Sequence, residues 1–204
     1  MTERWTRERR LQHTRNLLLD AAEELVARKG LGSASLVDIA DAVGYTRGAI
    51  YSHFGSKEEL LLAVIERHRQ RFLDGFADLM SSLQRFDDLN LDDLAARWRE
   101  LSNTDAKRTA ILEYEFTLFL LRNPEARKRV AAQRLETVQW LSDYITSSAA
   151  RMCATLRLPA ADLARVILAT NGGVTLNSLV DDEDLYRPFL QLVTSGINPS
   201  LGSA

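Results

Sequence analysis

Apolar residues return along this chain at intervals of three and four, so it reads as a succession of amphipathic helices. The first runs from near Arg9 to Lys29, with Leu17, Leu18, Ala21, Ala22, Leu25 and Val26 as one stripe and Gly30 as its stop. A short second helix places Leu36, Ile39, Ala40 and Val43 on one face. Ser35 opens it as an N-cap with Asp38 three residues on, and Gly44 closes it where a left-handed residue is wanted. Thr46 opens a third helix with Ala49, Ile50 and Phe54 facing inward. From Lys57 to about Leu83 a single long band follows: Leu60, Leu61, Val64, Ile65, His68, Phe72, Phe76 and Leu79. His68 lies on that band and reads as a hydrogen-bonded core histidine rather than a metal ligand.

A charged turn is expected over Arg85 to Asn90, then a short helix from Leu91 to Leu101 carrying Leu94 and Trp98. Asp105 to Arg122 is apolar nearly all round, which predicts a helix buried on most sides. Two carboxylates interrupt it, Glu113 and Glu115, the latter between Ile111 and Leu118 on the wheel. A buried carboxylate has to be paired or neutralised. Glu115 therefore either meets an arginine of the body or anchors a polar group of a ligand. Two residues apart, the glutamates point in different directions and are poorly placed to flank a glycosidic bond.

Pro124 starts the next helix, to about Arg151, with Val130, Leu135, Val138, Leu141, Tyr144 and Ile145 toward the core and Trp140 sharing a face with Tyr144. Pro159 opens another, with Leu163, Val166, Ile167, Thr170, Val174 and Leu176 as its apolar side. Its period runs through Asn171-Gly172-Gly173, and small residues there would let another helix approach closely. The last helix, about Asp184 to Ser195, supplies Tyr186, Phe189, Leu190 and Val193, with a tail from Pro199.

Composition agrees with an all-α protein: 46% apolar residues make a core, with only four prolines and ten glycines. The absence of an 18-residue apolar run and the charged N-terminus predict a cytoplasmic protein with no membrane partner. The single cysteine, Cys153, rules out an internal disulfide and reads as a small buried hydrophobe. No Ser/His/Asp set, phosphate loop or metal spacing is present, and all three histidines fall in the first 68 residues. The expectation is thus no enzyme, no catalytic residue, no cofactor and no metal. Net charge is −2, yet residues 1 to 57 hold nine Lys/Arg against seven Asp/Glu. Arg4, Arg7, Arg9, Arg10 and Arg15, joined by Arg47 and Lys57, form either a solvated tail or a phosphate-contacting arm.

Ala40, Gly44 and Ile50 have the spacing of a helix-turn-helix: the alanine allows a close crossing, the glycine turns, the isoleucine plugs the angle. The surrounding run IADAVGYTRGAIYSHFGSKEELL resembles the DNA-binding signature of the TetR family of bacterial repressors, through Gly44, the Tyr51–Phe54 pair and Lys57-Glu58-Glu59-Leu60. The resemblance implies a three-helix DNA-binding head, residues 1–57. A long helix would join it to a ligand-sensing and dimerisation body, residues 58–204. It also implies a homodimer through the last two helices of each subunit. The dimer would read a pseudo-palindromic operator in double-stranded DNA, its half-sites about 34–36 Å apart. By the same resemblance Thr46, Arg47, Gly48 and Ala49 meet bases, while Ser35, Tyr51, His53 and Lys57 meet phosphates. Arg47 is the foremost reader, because a guanidinium bonds both guanine acceptors at once. Two positions depart from the family pattern: Val37 replaces a basic residue that reads bases in some members, and Tyr45 replaces a small aliphatic one.

The body would sense a small, mostly apolar effector, with Trp98, Tyr114, Glu115, Phe116, Phe119, Trp140 and Asn171 as candidate lining. A repressor is expected. An activator, or a protein that binds DNA without sequence preference, is the alternative.

Overall fold

The computed structural model describes residues 6–81, 90–102 and 106–199. Among them run α1 (Arg7–Lys29), α2 (Leu36–Ala42), α3 (Arg47–Phe54), α4 (Lys57–Ser81), α5 (Leu91–Ser102), α6 (Ala106–Arg122), α7 (Pro124–Arg151), α8 (Ala160–Val180) and α9 (Tyr186–Ser195). The fold is all-α, as expected. Two three-residue strands, β1 (Ala154–Leu156) and β2 (Ile197–Pro199), pair antiparallel with Thr155 opposite Asn198. Arg4, the tail beyond Pro199, the start of the sixth helix at Asp105 and all but Asn90 of the expected turn lie outside the described residues.

The chain forms two compact units. One runs to Gln70 and adds Ile111–Arg127; the other joins Arg71–Ala110 to the chain from Lys128 onward. The division expected after residue 57 is one of roles, whereas compactness assigns the first half of α4 and most of α6 to the head.

In the first unit α1 begins at Arg7, two residues before the expected start, because the Thr6 hydroxyl accepts the Arg9 N–H at 3.2 Å. Gly30 ends it at φ +78°, its N–H donating to Val26. Leu18, Ala22 and Val26 of α1, Ile39 and Ala40 of α2, Ile50 and Phe54 of α3, Leu60 and Val64 of α4, and Leu112 and Phe116 of α6 form one core. His68 is half-buried with its ring edge-on to Phe116. Glu23, 1% exposed, lies within this unit and receives the Arg67 guanidinium, Nε to Oε1 at 2.9 Å, while Arg67 Nη1 donates to Asp20 at 2.9 Å. Leu19, Glu23 and Val26 share one helical line, the pattern that marks such a carboxylate in sequence.

The expectation that the sixth helix is buried on most sides is corrected. Leu112, Phe116 and Leu120 face inward one turn apart, whereas Tyr114, Leu118 and Leu121 are exposed. Apolar composition named a buried helix, but only one face of it found packing partners.

In the second unit Phe76 is the hub. Its ring stands edge-on to Trp98 (5.5 Å between centroids), Tyr144 (5.9 Å) and Trp140 (6.3 Å), and Trp98 meets Phe189 at 5.5 Å. Leu163 and Ile167 of α8 and Tyr186 and Leu190 of α9 complete this core. Helix α8 continues unbroken through Asn171-Gly172-Gly173. Two expected core residues are corrected: Leu135 is 65% exposed and Val166 is 47% exposed. On α7 the inward line is Val130, Thr137, Leu141 and Ser148, which turns Leu135 outward; on α8 it is Leu163, Ala164 and Ile167. Cys153, expected buried, is exposed on the left-handed residue after α7, φ +50°.

Candidate nucleic-acid interface

Helices α2 and α3 owe their mutual placement to short-range chemistry. Ser35 caps α2 reciprocally with Asp38: its hydroxyl accepts the Asp38 N–H at 3.1 Å, and the Asp38 carboxylate accepts the Ser35 N–H at 3.4 Å. These bonds, with Lys29 at 3.5 Å, hold the Asp38 carboxyl below its ordinary pKa, the Ser35 hydrogen bonds weighing most. Gly44 makes the turn at φ +71°, a conformation that a side chain would strain. Ala40 and Ile50, both fully buried, fill the crossing.

Tyr45, a departure from the family pattern, has a role inside the head. Its N–H donates to Ala40 at 2.9 Å and its hydroxyl meets that of Thr14 at 3.1 Å, so it ties α1 to the turn. Arg15, read with its neighbours as part of either a solvated tail or a phosphate-contacting arm, also has a role inside the head. Its guanidinium lies 4.4 Å above the Phe54 ring and donates to the His53 carbonyl at 3.3 Å, bracing the C-terminal end of α3. Contacts across 31 and 38 residues carry no local sequence signal. Arg7, Arg9 and Arg10 stay on the exposed first turns of α1.

Buried Ile50 and Phe54 set which face of α3 points outward. Thr46, Arg47, Gly48 and Tyr51 are exposed along it, with Ala49 half-buried beside them. Thr46 stands at the N-cap position with its carbonyl accepting the Ala49 N–H, but its hydroxyl makes no capping bond. Arg47 folds back one turn, donating to the Tyr51 hydroxyl at 2.7 Å with its charge 5.3 Å from that ring. His53 is half-buried. Lys57, the first residue of α4, donates to the Leu31 carbonyl at 3.4 Å. Val37 is 49% exposed on α2. The interface thus offers a guanidinium, an ammonium, phenol and hydroxyl donors on a rigid support, the set that meets bases and phosphates.

The seven ligand candidates separate. Tyr114, Glu115, Phe116 and Phe119 belong to the first unit; Trp98, Trp140 and Asn171 belong to the second. Phe116 is part of the first core, and Phe119 packs against it. The Glu115 carboxylate, expected to meet an arginine or a ligand, accepts the Leu31 N–H at 2.9 Å. Trp98 donates through Nε1 to Asn171 at 2.9 Å, and Trp140 stacks on Tyr144 at 5.3 Å. Burial raises the carboxyl pKa of Glu113 above its ordinary value. Among the described residues no cluster of His, Cys, Asp and Glu is placed to hold a metal, and no helix is long and apolar enough to cross a membrane.

Residues 18–64 match the family described as bacterial regulatory proteins, tetR family. The chain is similar to the HTH-type transcriptional regulator YfiR of Bacillus subtilis, 26% identical over 82% of this chain and 80% of that one. It is 44% identical to the transcriptional regulator TtgR of Pseudomonas putida, but over 55 residues only, 27% of this chain and 26% of TtgR. Its fold resembles that of the multidrug binding protein EbrR, solved with imidazole, at a TM-score of 0.61 and 24% identity over 91% of this chain and 92% of the other.

Proposed function

We propose that this chain is a regulator of the tetR family, a ligand-responsive repressor that binds a pseudo-palindromic operator as a homodimer. The observation that carries the reading is α3, whose Ile50 and Phe54 are buried while Thr46, Arg47 and Tyr51 face solvent. In use Arg47 leaves the Tyr51 hydroxyl for guanine acceptors, and Gly48 and Ala49 admit the groove closely. Ser35, Tyr51, His53 and Lys57 take phosphates, so they set affinity and register rather than sequence. One short helix reads few bases, which is why two heads on one duplex are needed.

Dimerisation through α8 and α9 is supported by apolar side chains left in solvent: Val166, Leu179 and Val180 on α8, and Leu192 on α9. Gly173 lies seven residues from both Val166 and Val180, and a Cβ built on it meets nothing within 4 Å. That leaves room for a partner helix at the small residues.

The effector we place at the aromatic cluster of the second unit, with Trp98, Trp140 and Asn171 as its contacts; EbrR, solved with imidazole, is a fold relative that takes a small molecule. Tyr114, Glu115, Phe116 and Phe119 lie in the first unit, where Phe116 and Glu115 are already engaged. Bound effector would favour a dimer whose heads no longer match the operator, a coupling of about 1–3 kcal/mol.

Selection of bound sequences from random duplexes tests the whole reading. The expected result is a two-fold-symmetric site that Arg47→Ala binds with discrimination reduced by about 1–3 kcal/mol at one base pair. Enrichment of no sequence would instead support a non-specific DNA-binding protein. A site whose occupancy raises transcription would make the protein an activator.

A further inference from the structure

Three elements of the first unit converge on one residue between helices. Leu31 follows the Gly30 that ends α1, and both of its backbone polar groups are taken by side chains from elsewhere. Glu115 Oε2, on α6, accepts its N–H at 2.9 Å. Lys57 Nζ, at the start of α4, donates to its carbonyl at 3.4 Å.

Gly30 makes room for the first of these contacts. It sits at φ +78°, and a Cβ there would lie 3.2 Å from Glu115 Oε1. The absence of a side chain is what lets the carboxylate come up against the turn. This is also an electrostatically poor place for a carboxylate, since the end of α1 carries the negative pole of that helix. Arg28 and Lys29 in its last turn offset the repulsion. A contact intended only to fasten α6 to the head would be better made by an apolar residue.

We propose that Glu115 is a positioning residue for DNA binding: by holding Leu31 it fixes the carbonyl against which Lys57 is braced. An ammonium has three donors, so one on Leu31 leaves two for a phosphate oxygen. A brace matters for lysine in particular, because its four-carbon stem otherwise loses freedom each time it meets a phosphate. With Leu31 held, Lys57 presents its charge already oriented. With Leu31 released, the same charge is present but not aimed. The inference rests on Lys57 being a phosphate contact, as in the function proposed above.

The test compares Glu115→Leu, which removes the acceptor, with Glu115→Gln, which keeps an acceptor oxygen. Thermal melts of each variant confirm that the head is folded. Glu115→Leu should weaken binding to the selected operator about fivefold, the lower end of such couplings, with little change in base preference. In a Lys57→Ala background it should weaken binding no further, and Glu115→Gln should restore most of the affinity. An equal loss in both backgrounds would make Glu115 a merely structural residue and overturn the proposal.

A second measurement needs no DNA: the acylation rate of Lys57, followed by mass spectrometry. It should rise in Glu115→Leu and stay near wild type in Glu115→Gln, and an unchanged rate in Glu115→Leu also overturns the proposal. If the rate rises as expected while the wild type binds no duplex, the brace stands and the repressor reading falls.

Discussion

Each of the two units is held together internally by a different chemistry. In the first, directional bonds join distant segments: Arg67 to Glu23, Arg15 to the His53 carbonyl, Tyr45 to Thr14, Glu115 and Lys57 to Leu31. In the second, tilted and edge-on aromatic rings do most of the joining, with Trp98–Asn171 and the Tyr144 hydroxyl on the Ala77 carbonyl as polar punctuation. In the function proposed above the first unit presents side chains to a fixed lattice of bases, and bonds with steep angular dependence suit that role. In the same proposal the second unit admits a small molecule, and packing that tolerates rearrangement suits that role.

The sharpest way to break this contrast is to remove the aromatic hub. Phe76→Ala should destabilise the protein by about 4 kcal/mol, read from urea unfolding, because the rings around it cannot all close the gap. A loss under 1 kcal/mol would mean that the aromatic cluster is not what holds the second unit. Next in size, Arg67→Ala takes the guanidinium away from the Glu23 carboxylate, 1% exposed, and should cost about 3 kcal/mol. The double variant Arg67→Met with Glu23→Leu should recover most of that, since no charge is then left buried; failure to recover would show that the bond's direction, not charge compensation, is what matters.

Ser35→Ala removes the capping hydroxyl and should lower stability by about 1 kcal/mol at neutral pH. The folded state lowers the Asp38 pKa, so the stability this carboxylate contributes is present above its unfolded pKa and lost as pH falls through the folded one. The stability difference between Ser35→Ala and wild type should therefore shrink in acid, in parallel melts from pH 7 downward. The smallest effect has the opposite sign. Burial raises the Glu113 pKa, so its contribution is complete below the unfolded pKa and lost as pH rises through the folded one. Glu113→Gln should melt higher than wild type at pH 7, with the advantage gone below about pH 4. A variant that melts lower at pH 7 would show that the half-buried carboxylate is stabilising where it lies.

How much of this was legible beforehand depends on the range of the interaction. Ser35 with Asp38, Gly30 and Gly44 at positive φ, and inward Ile50 and Phe54 all act within a turn or two, and spacing alone revealed them. The same spacing misplaced Leu135 and Val166, because periodicity identifies an apolar residue but not which of two apolar faces finds a partner. Glu115 shows the limit most clearly. Its place in an apolar run announced that it needed a partner, and an arginine or a ligand was the reasonable expectation. The partner is a backbone N–H 84 residues away. Backbone groups are identical at every position, so no side-chain pattern could single out Leu31.

What the sequence by itself determined is therefore local: the helices, their caps, the turn at Gly44 and the outward face of α3. Those follow from backbone preferences and helical period, which adjacent residues settle among themselves. Only the tertiary structure decided that Arg15 and Tyr45 brace the head, that Glu23 lies buried beneath Arg67, and that Leu31 is where α4 and α6 meet. Each of these depends on the distance between segments far apart in the chain, a quantity that exists only once the chain has folded.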